Sequence, residues 1–157
     1  MNSNIETDIL KLVVLNRYRF EKPAVAFIHG FGLKNGAIVS SVAHDSHHII
    51  AVGCDDDSII TAINHIINIK GGLAVVCEEK VCDLKLDIAG LMSSASCEDV
   101  ADRYRELNRL TFDLGCTLAA PFMTLSFMSL LVIPELKLGT KGLFDVNSFE
   151  WTKMFVE

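Results

Sequence analysis

Short apolar segments rich in valine and isoleucine dominate the first half of the chain, and they constrain the possible folds more than any other feature. β-Branched residues in runs of this length favour strands, and the polar, glycine or proline residues between the runs favour turns. The pattern therefore predicts a sheet built from many short strands. The predicted strands cover residues 9–15, 24–29, 37–42, 48–52, 73–77 and 81–86.

The segment after the fourth predicted strand has the pattern of an amphipathic helix. Asp55, Asp56 and Asp57 open it, and carboxylates at a helix start accept hydrogen bonds from free amides and interact favourably with the dipole. Gly71 then ends the helix, and the helical spacing places His65 on the solvated side. The apolar face consists of Ile59, Ile60, Ile63, Ile66 and Ile67.

A second helix begins at Ser96 and Asp99, which have the spacing of a capping box, and ends near Gly115. A further buried helix is predicted over residues 122–131, and strand and turn over 136–146. Strands and helices in this order, with hairpin-like strand pairs, predict an α/β or α+β fold. We expect a single domain over residues 8–157, in which a mixed β-sheet packs against two to three helices, with residues 1–7 as a disordered end.

Charge and hydropathy exclude several classes of partner. The net charge of −6 argues against nucleic-acid binding, which needs a basic face. Pro121 and several polar residues interrupt the longest uncharged run, 114–134, so we expect no membrane span. Five cysteines, an odd number, after a polar start without an apolar leader, predict a reduced, cytoplasmic protein.

The densest group of polar side chains lies between two predicted strands and comprises Ser40, His44, Asp45, Ser46 and His47. A loop in this position can present side chains to a cleft. His44 and His47, with Asp45, are ligand types that first-row metals accept, although no further ligands lie nearby in the sequence. The alternative is a polar loop whose histidines make ordinary hydrogen bonds.

Two other features have alternative interpretations. The glycine-rich loop 30–36 has some likeness to a phosphate-binding loop but lacks the required spacing, so a structural turn is the competing interpretation. His29 ends a predicted strand and belongs either to the core or to a site. The signatures of zinc nucleobase deaminases and of serine hydrolases are both missing from the sequence. We therefore expect no complete catalytic centre and no cofactor in this chain.

Several long segments resemble the C-terminal region of bacterial adenine deaminases, which are amidohydrolases. They are HGFGLKNGAIVSSVAHDSHHIIAVG (29–53), GGLAVV (71–76), IAGLMS (88–93) and LGCTLAAPFMTLSFMSLLVIPELKLGTKGLFDV (114–146). The resemblance covers nearly the whole chain from about residue 8. Two positions depart from the family pattern, since His29 stands in place of lysine and His48 in place of asparagine.

The resemblance implies a domain that follows a metal-bearing barrel, in an enzyme that converts adenine and water to hypoxanthine and ammonia. It implies manganese, iron or zinc in that barrel, whose ligands lie upstream, and a homo-oligomer. On this hypothesis Ser40 and residues 44–47 close the adenine pocket, or the domain mediates subunit contacts. The competing hypotheses are an autonomous purine-binding or regulatory module and an independent metallohydrolase that uses His44, Asp45 and His47.

Overall fold

The strands of the first half pair into one six-stranded sheet. A computed structural model describes residues 2–78 and 80–155. The sheet contains β1 (Leu10–Leu15), β2 (Ala24–Ile28), β3 (Ala37–Ser40), β4 (Ile49–Gly53), β5 (Gly72–Cys77) and β6 (Lys80–Lys85). The spatial order is β2-β1-β4-β3-β5-β6, and neighbouring strands are antiparallel throughout.

The helices and a small second sheet complete the fold. Helix α1 (Asp56–Asn68) connects β4 to β5, and α2 (Cys97–Asp113) and α3 (Pro121–Phe127) follow β6. The second sheet is antiparallel, with the order β7-β8-β9. Its strands are β7 (Leu136–Gly139), β8 (Gly142–Asp145) and β9 (Glu150–Thr152).

Successive side chains of a strand point to opposite sides of the sheet, and other elements pack against both faces of the large sheet. In β4, Ile49 and Ala51 belong to the apolar cluster beneath α1, which includes Ile59 and Ile66. Ile50, Val52 and their neighbours face the other cluster, to which α2, α3 and the small sheet contribute Leu107, Leu125 and Leu138. Because both faces are covered there, the central strands β3, β4 and β5 are apolar along nearly their whole length.

The predicted fold class is confirmed, as are both helix starts. The Asp55 carboxylate accepts a hydrogen bond from the Ser58 amide at 2.7 Å, and the Ser96 hydroxyl accepts one from the Asp99 amide at 3.1 Å. The sequence predicts a mixed sheet, but every strand pair in the large sheet is antiparallel. Helix α3 is shorter than predicted, because tight turns begin at Met128 and the Ser129 hydroxyl bonds to the neighbouring loop.

Residues 2–8, where the sequence predicts a disordered end, make contacts with the large sheet. Asn4 and Ile9 pair through their backbones, and the Ser3 hydroxyl bonds to Gly53 and Lys11. The Asp8 carboxylate accepts hydrogen bonds from the amides of two glycines in the loop that follows β2, at 2.8 and 2.7 Å. Because that carboxylate occupies amides that a phosphate would need, the loop 30–36 is a structural turn.

Helix α1 is attached to the edge strand β6 through His65. Its Nε2 atom contacts the carboxylate of Asp83, and both side chains are largely buried. The prediction that His65 is simply solvated is therefore wrong. The helical spacing correctly put it off the isoleucine face, but only the position of β6 beside α1 gives the imidazole a partner.

Candidate functional site

The polar loop singled out by the sequence, residues 41–48, connects β3 to β4 at one end of the large sheet. At this end β1 finishes at Leu15, opposite Ile49, and β3 finishes at Ser40, opposite Ile50. The turn between β1 and β2 and the start of β5 meet it there. The candidate residues that follow Ser40 are thus held on a rigid scaffold, where loops most often carry function.

The backbone of this loop is fastened on two sides. On the side of α3, the His44 amide donates to the Ser126 carbonyl at 3.0 Å, and the Ser129 hydroxyl donates to the His44 carbonyl at 3.2 Å. On the opposite side, the hydroxyl of Tyr18 donates to the Ser46 carbonyl at 3.3 Å. The loop therefore has a defined conformation even though two of its side chains, Asp45 and Ser46, are exposed.

Ser40, which the sequence places among the candidate pocket residues, has local hydrogen-bond partners. Its side chain is buried, and its hydroxyl bonds to the backbone of Val42, accepting from the amide at 2.9 Å and donating to the carbonyl at 3.3 Å. The neighbouring hydroxyl of Ser41 donates to the Gly90 carbonyl at 2.6 Å and accepts from the Gly72 amide at 2.8 Å. These bonds end β3 early and shape the loop.

We expect Ser41→Ala to lower the free energy of unfolding by about 1–3 kcal/mol, because it leaves a buried amide and a buried carbonyl without their partner. Urea denaturation of the two proteins measures the difference. Ser46→Ala is the matched control, since Ser46 is exposed and surface changes of this kind are usually within about 0.5 kcal/mol. Equal losses in both variants would contradict this assignment.

His44 and His47 approach each other, with their rings 5.8 Å apart and steeply inclined. The His44 ring also packs 5.0 Å from the ring of Phe127. His47 has a positive φ of 51°, and its buried Nδ1 atom has no hydrogen-bond partner among the described residues. An unpaired buried nitrogen is costly, so His47 is held in a strained local environment.

The pair does not form a metal site within the part of the chain that the structure describes. Over residues 2–78 and 80–155, no three His, Cys, Asp or Glu side chains lie close enough together to hold one ion. His44, Asp45 and His47 therefore do not form the ligand set that an independent metallohydrolase would need.

His48, which sequence analysis treated only as a departure from the family pattern, lies where its surroundings favour the neutral imidazole. Burial lowers the pKa of its imidazole, and the positive charge of Arg17 acts in the same direction, while Glu21 opposes it. The ring is therefore neutral near pH 7. Its Nδ1 accepts a long hydrogen bond, 3.4 Å, from the Arg17 amide, which leaves the proton on Nε2.

The exposed side of the loop lines a cleft of about 350 Å³. Asp45, Ser46 and His48 form one wall of it, and the small sheet contributes the opposite wall, including Lys141 and Trp151. The cleft combines a carboxylate, a neutral imidazole, a cation and an indole. Those groups suit a flat, polar, aromatic ligand, because the indole offers a stacking surface and the others offer hydrogen bonds.

Trp151 and Lys141 line this cleft but were not among the candidate residues that the sequence predicted. The indole lies against the backbone of Gly139, where an added Cβ would come within 3.1 Å of it, and it packs edge-on against Phe144. The useful signal was the lone tryptophan of the chain, but strand β9 is short and was not predicted. His29 lies outside this site and is exposed at the opposite end of the sheet.

The cysteines do not add a reactive group to the site. Burial raises the pKa of Cys54 to about 11, and it also raises the pKa of Cys82 and Cys116. A thiol with a raised pKa remains protonated near pH 7 and is a poor nucleophile and metal ligand. Cys77 and Cys82 pack against the apolar core, as predicted.

Comparison with known proteins gives one consistent result. The family model described as the adenine deaminase C-terminal domain matches residues 1–150. Adenine deaminase of Methanosarcina acetivorans is 55% identical over 157 residues, which are 100% of this chain and 28% of the relative. The proteins of the same name from Sulfurovum sp. and Parabacteroides distasonis are 57% and 51% identical, over 96% and 99% of this chain.

These matches first define a class, that of an accessory domain found in the C-terminal part of larger proteins. The chain belongs to the adenine deaminase C-terminal domain family. It spans less than a third of the length of the curated relatives it matches. Within the described residues, no helix is both long and apolar enough to cross a membrane.

Proposed function

We propose that this domain serves an adenine deaminase by closing the pocket in which adenine is converted to hypoxanthine and ammonia. A metal-bearing barrel, which precedes the domain in the longer polypeptide, supplies the hydrolytic centre. The observation that carries the proposal is the loop 41–48. Its backbone is bonded to elements on both sides, while the exposed side chains of Asp45 and Ser46 have no hydrogen-bond partner among residues 2–78 and 80–155.

The chemistry of the loop suits a purine. The amino group and ring N–H of such a base are donors, and the exposed carboxylate of Asp45 is an acceptor beside them. A neutral imidazole at His48 donates through Nε2 to a ring nitrogen, and the indole of Trp151 offers a stacking face. By covering the base, the domain fixes the orientation of the ring. It also excludes water, which strengthens the electrostatic interactions between the base and nearby charged groups.

Homo-oligomerisation and a cytoplasmic location are parts of the same proposal. The described surface keeps large apolar side chains such as Phe149 and Phe155 in contact with solvent. Surfaces of this type are usually covered by another domain or subunit. The reduced state of the five cysteines, all free, agrees with a reducing compartment.

We expect the isolated chain to show no adenine deamination. The test is to follow hypoxanthine formation from adenine with manganese, iron or zinc present. The same assay compares the Methanosarcina acetivorans enzyme lacking its matching C-terminal region with a fusion in which this chain replaces that region. We expect the truncated enzyme to lose activity and the fusion to regain it.

Two results would contradict the proposal. One is turnover by the isolated chain at about 1 s⁻¹ or faster, which is an ordinary enzymatic rate. The other is full activity of the truncated enzyme, because a domain that closes the pocket cannot be dispensable. Truncated protein that is folded, as judged by circular dichroism, is the necessary control for the second result.

A further inference from the structure

A second and larger cleft, of about 540 Å³, lies on the other side of the loop 41–48. We call it the β1–β2 cleft, because the turn between those strands, residues 16–21, forms one wall and the C-terminal end of α1 forms the other. Its floor is apolar and includes Ile49 and Ile66, both buried members of the core beneath α1. The cleft plays no part in the proposed closure of the adenine pocket.

Several large apolar side chains are exposed around the β1–β2 cleft. Phe20 at its rim is fully exposed, and Tyr18 is 64% exposed. On α1, Ile67 lines the cleft and Ile60 lies two turns earlier, and both are about half exposed. A contiguous apolar patch with aromatic side chains at its edge is the mark of a protein–protein contact.

The charge of the cleft indicates what kind of surface fits it. Arg17, Arg19 and Lys70 line it, against a single carboxylate, that of Glu21. None of the three cations forms an ion pair within residues 2–78 and 80–155, although the chain as a whole has a net charge of −6. The complementary surface is therefore acidic around an apolar centre.

A second copy of this chain is a poor occupant. In a symmetric dimer the same patch faces itself across the axis, which would bring the three cations of one copy against those of the other. Like charges brought together in this way oppose association. The relatives, in contrast, contain more than twice as much polypeptide outside the matched region.

We propose that the β1–β2 cleft is the docking site for the part of the longer polypeptide that precedes this domain, through an acidic surface with an apolar residue inserted beside Phe20. This inference rests on the proposed function, which requires that preceding part. The contact also steadies the loop. Arg17 donates to the His47 carbonyl at 3.5 Å, and Tyr18 bonds to Ser46, so a partner that orders residues 16–21 also holds the loop beside the smaller cleft.

Hydrogen exchange gives the direct test, using the fusion with the Methanosarcina acetivorans enzyme and the isolated chain. We expect the amides of residues 16–21 to exchange about tenfold more slowly, or slower still, in the fusion, because docking covers that turn. Unchanged exchange of residues 16–21 would overturn the proposal. The helix α2 packs on the opposite face of the sheet and serves as the internal reference.

Substitutions provide a second test of the docking site. Phe20→Asp and Arg19→Glu are expected to weaken binding between the separate chain and the truncated enzyme about tenfold or more, because they alter an exposed aromatic side chain at the rim and a complementary charge. Wild-type binding should also weaken between about 0.05 and 0.5 M NaCl. Phe112→Asp is the matched control, since Phe112 is 44% exposed on α2, and it should bind normally.

Each remaining outcome has a stated meaning. Normal binding by Phe20→Asp would overturn the proposal. Self-association of the isolated chain that is abolished by Phe20→Asp would also overturn it, because that result would assign the cleft to a second copy. Restored activity without protection of residues 16–21 would remove the docking site and leave the proposed function standing. Protection of residues 16–21 without restored activity would support the docking site and contradict the proposed function.

Discussion

Replacing Asp45 with asparagine, or His47 with alanine, is expected to lower kcat/KM for adenine about tenfold or more in the fusion enzyme. Asp45 is the exposed carboxylate of the smaller cleft, and His47 has a buried Nδ1 without a partner among the described residues. The loss of one hydrogen bond to a charged group in a closed site is worth about 1.5–3 kcal/mol. Steady-state kinetics measures the effect.

Thermal melting of the same variants separates binding from folding. Asp45 is exposed, so Asp45→Asn should leave the melting temperature nearly unchanged. Matched controls lie at the opposite end of the large sheet, where Asp57 is in the first turn of α1 and His29 follows β2. Asp57→Asn and His29→Ala should keep normal kinetics. Normal kinetics in Asp45→Asn and His47→Ala as well would make the loop a structural turn only.

Gly36→Ala is expected to destabilise the chain by about 3 kcal/mol or more, through strain and a backbone clash together. Gly36 has a φ of 68°, and an added Cβ would lie 2.0 Å from the carbonyl oxygen of Val76. The clashing atoms of Val76 belong to the backbone, so a side-chain rotation cannot relieve the clash. The Gly36 carbonyl also accepts the Cys54 amide at 2.9 Å, so a shift of this residue disturbs the end of β4.

Gly30→Ala in the same loop isolates the strain from the clash. Gly30 has a φ of 100°, but an added Cβ would meet nothing within 4 Å. We expect this control to cost about 1–2 kcal/mol, the strain of a left-handed backbone alone. Denaturant unfolding of the three proteins gives the comparison. Equal stabilities of the two variants would show that the backbone relaxes around Gly36.

The local elements were largely predictable from sequence because their signals are short-ranged. The caps at Asp55 and Ser96 and the strand pattern each depend on residues a few positions apart. The shape of the candidate site was only partly predictable. The loop from His44 to His47 was identified, but Ser40 proved to be buried, and Trp151 was missed because β9 is three residues long.

The sequence by itself determined the family, the positions of most strands and helices, and the polar loop between β3 and β4. Periodicity and capping act within one element, and the family pattern runs through nearly the whole chain. Only the tertiary structure decided which face of that loop meets a cleft, that Asp8 occupies the glycine-rich loop, and that His65 pairs with Asp83. These contacts join residues far apart in the chain, and the packing of the two sheets and the helices, rather than local propensity, sets their distances.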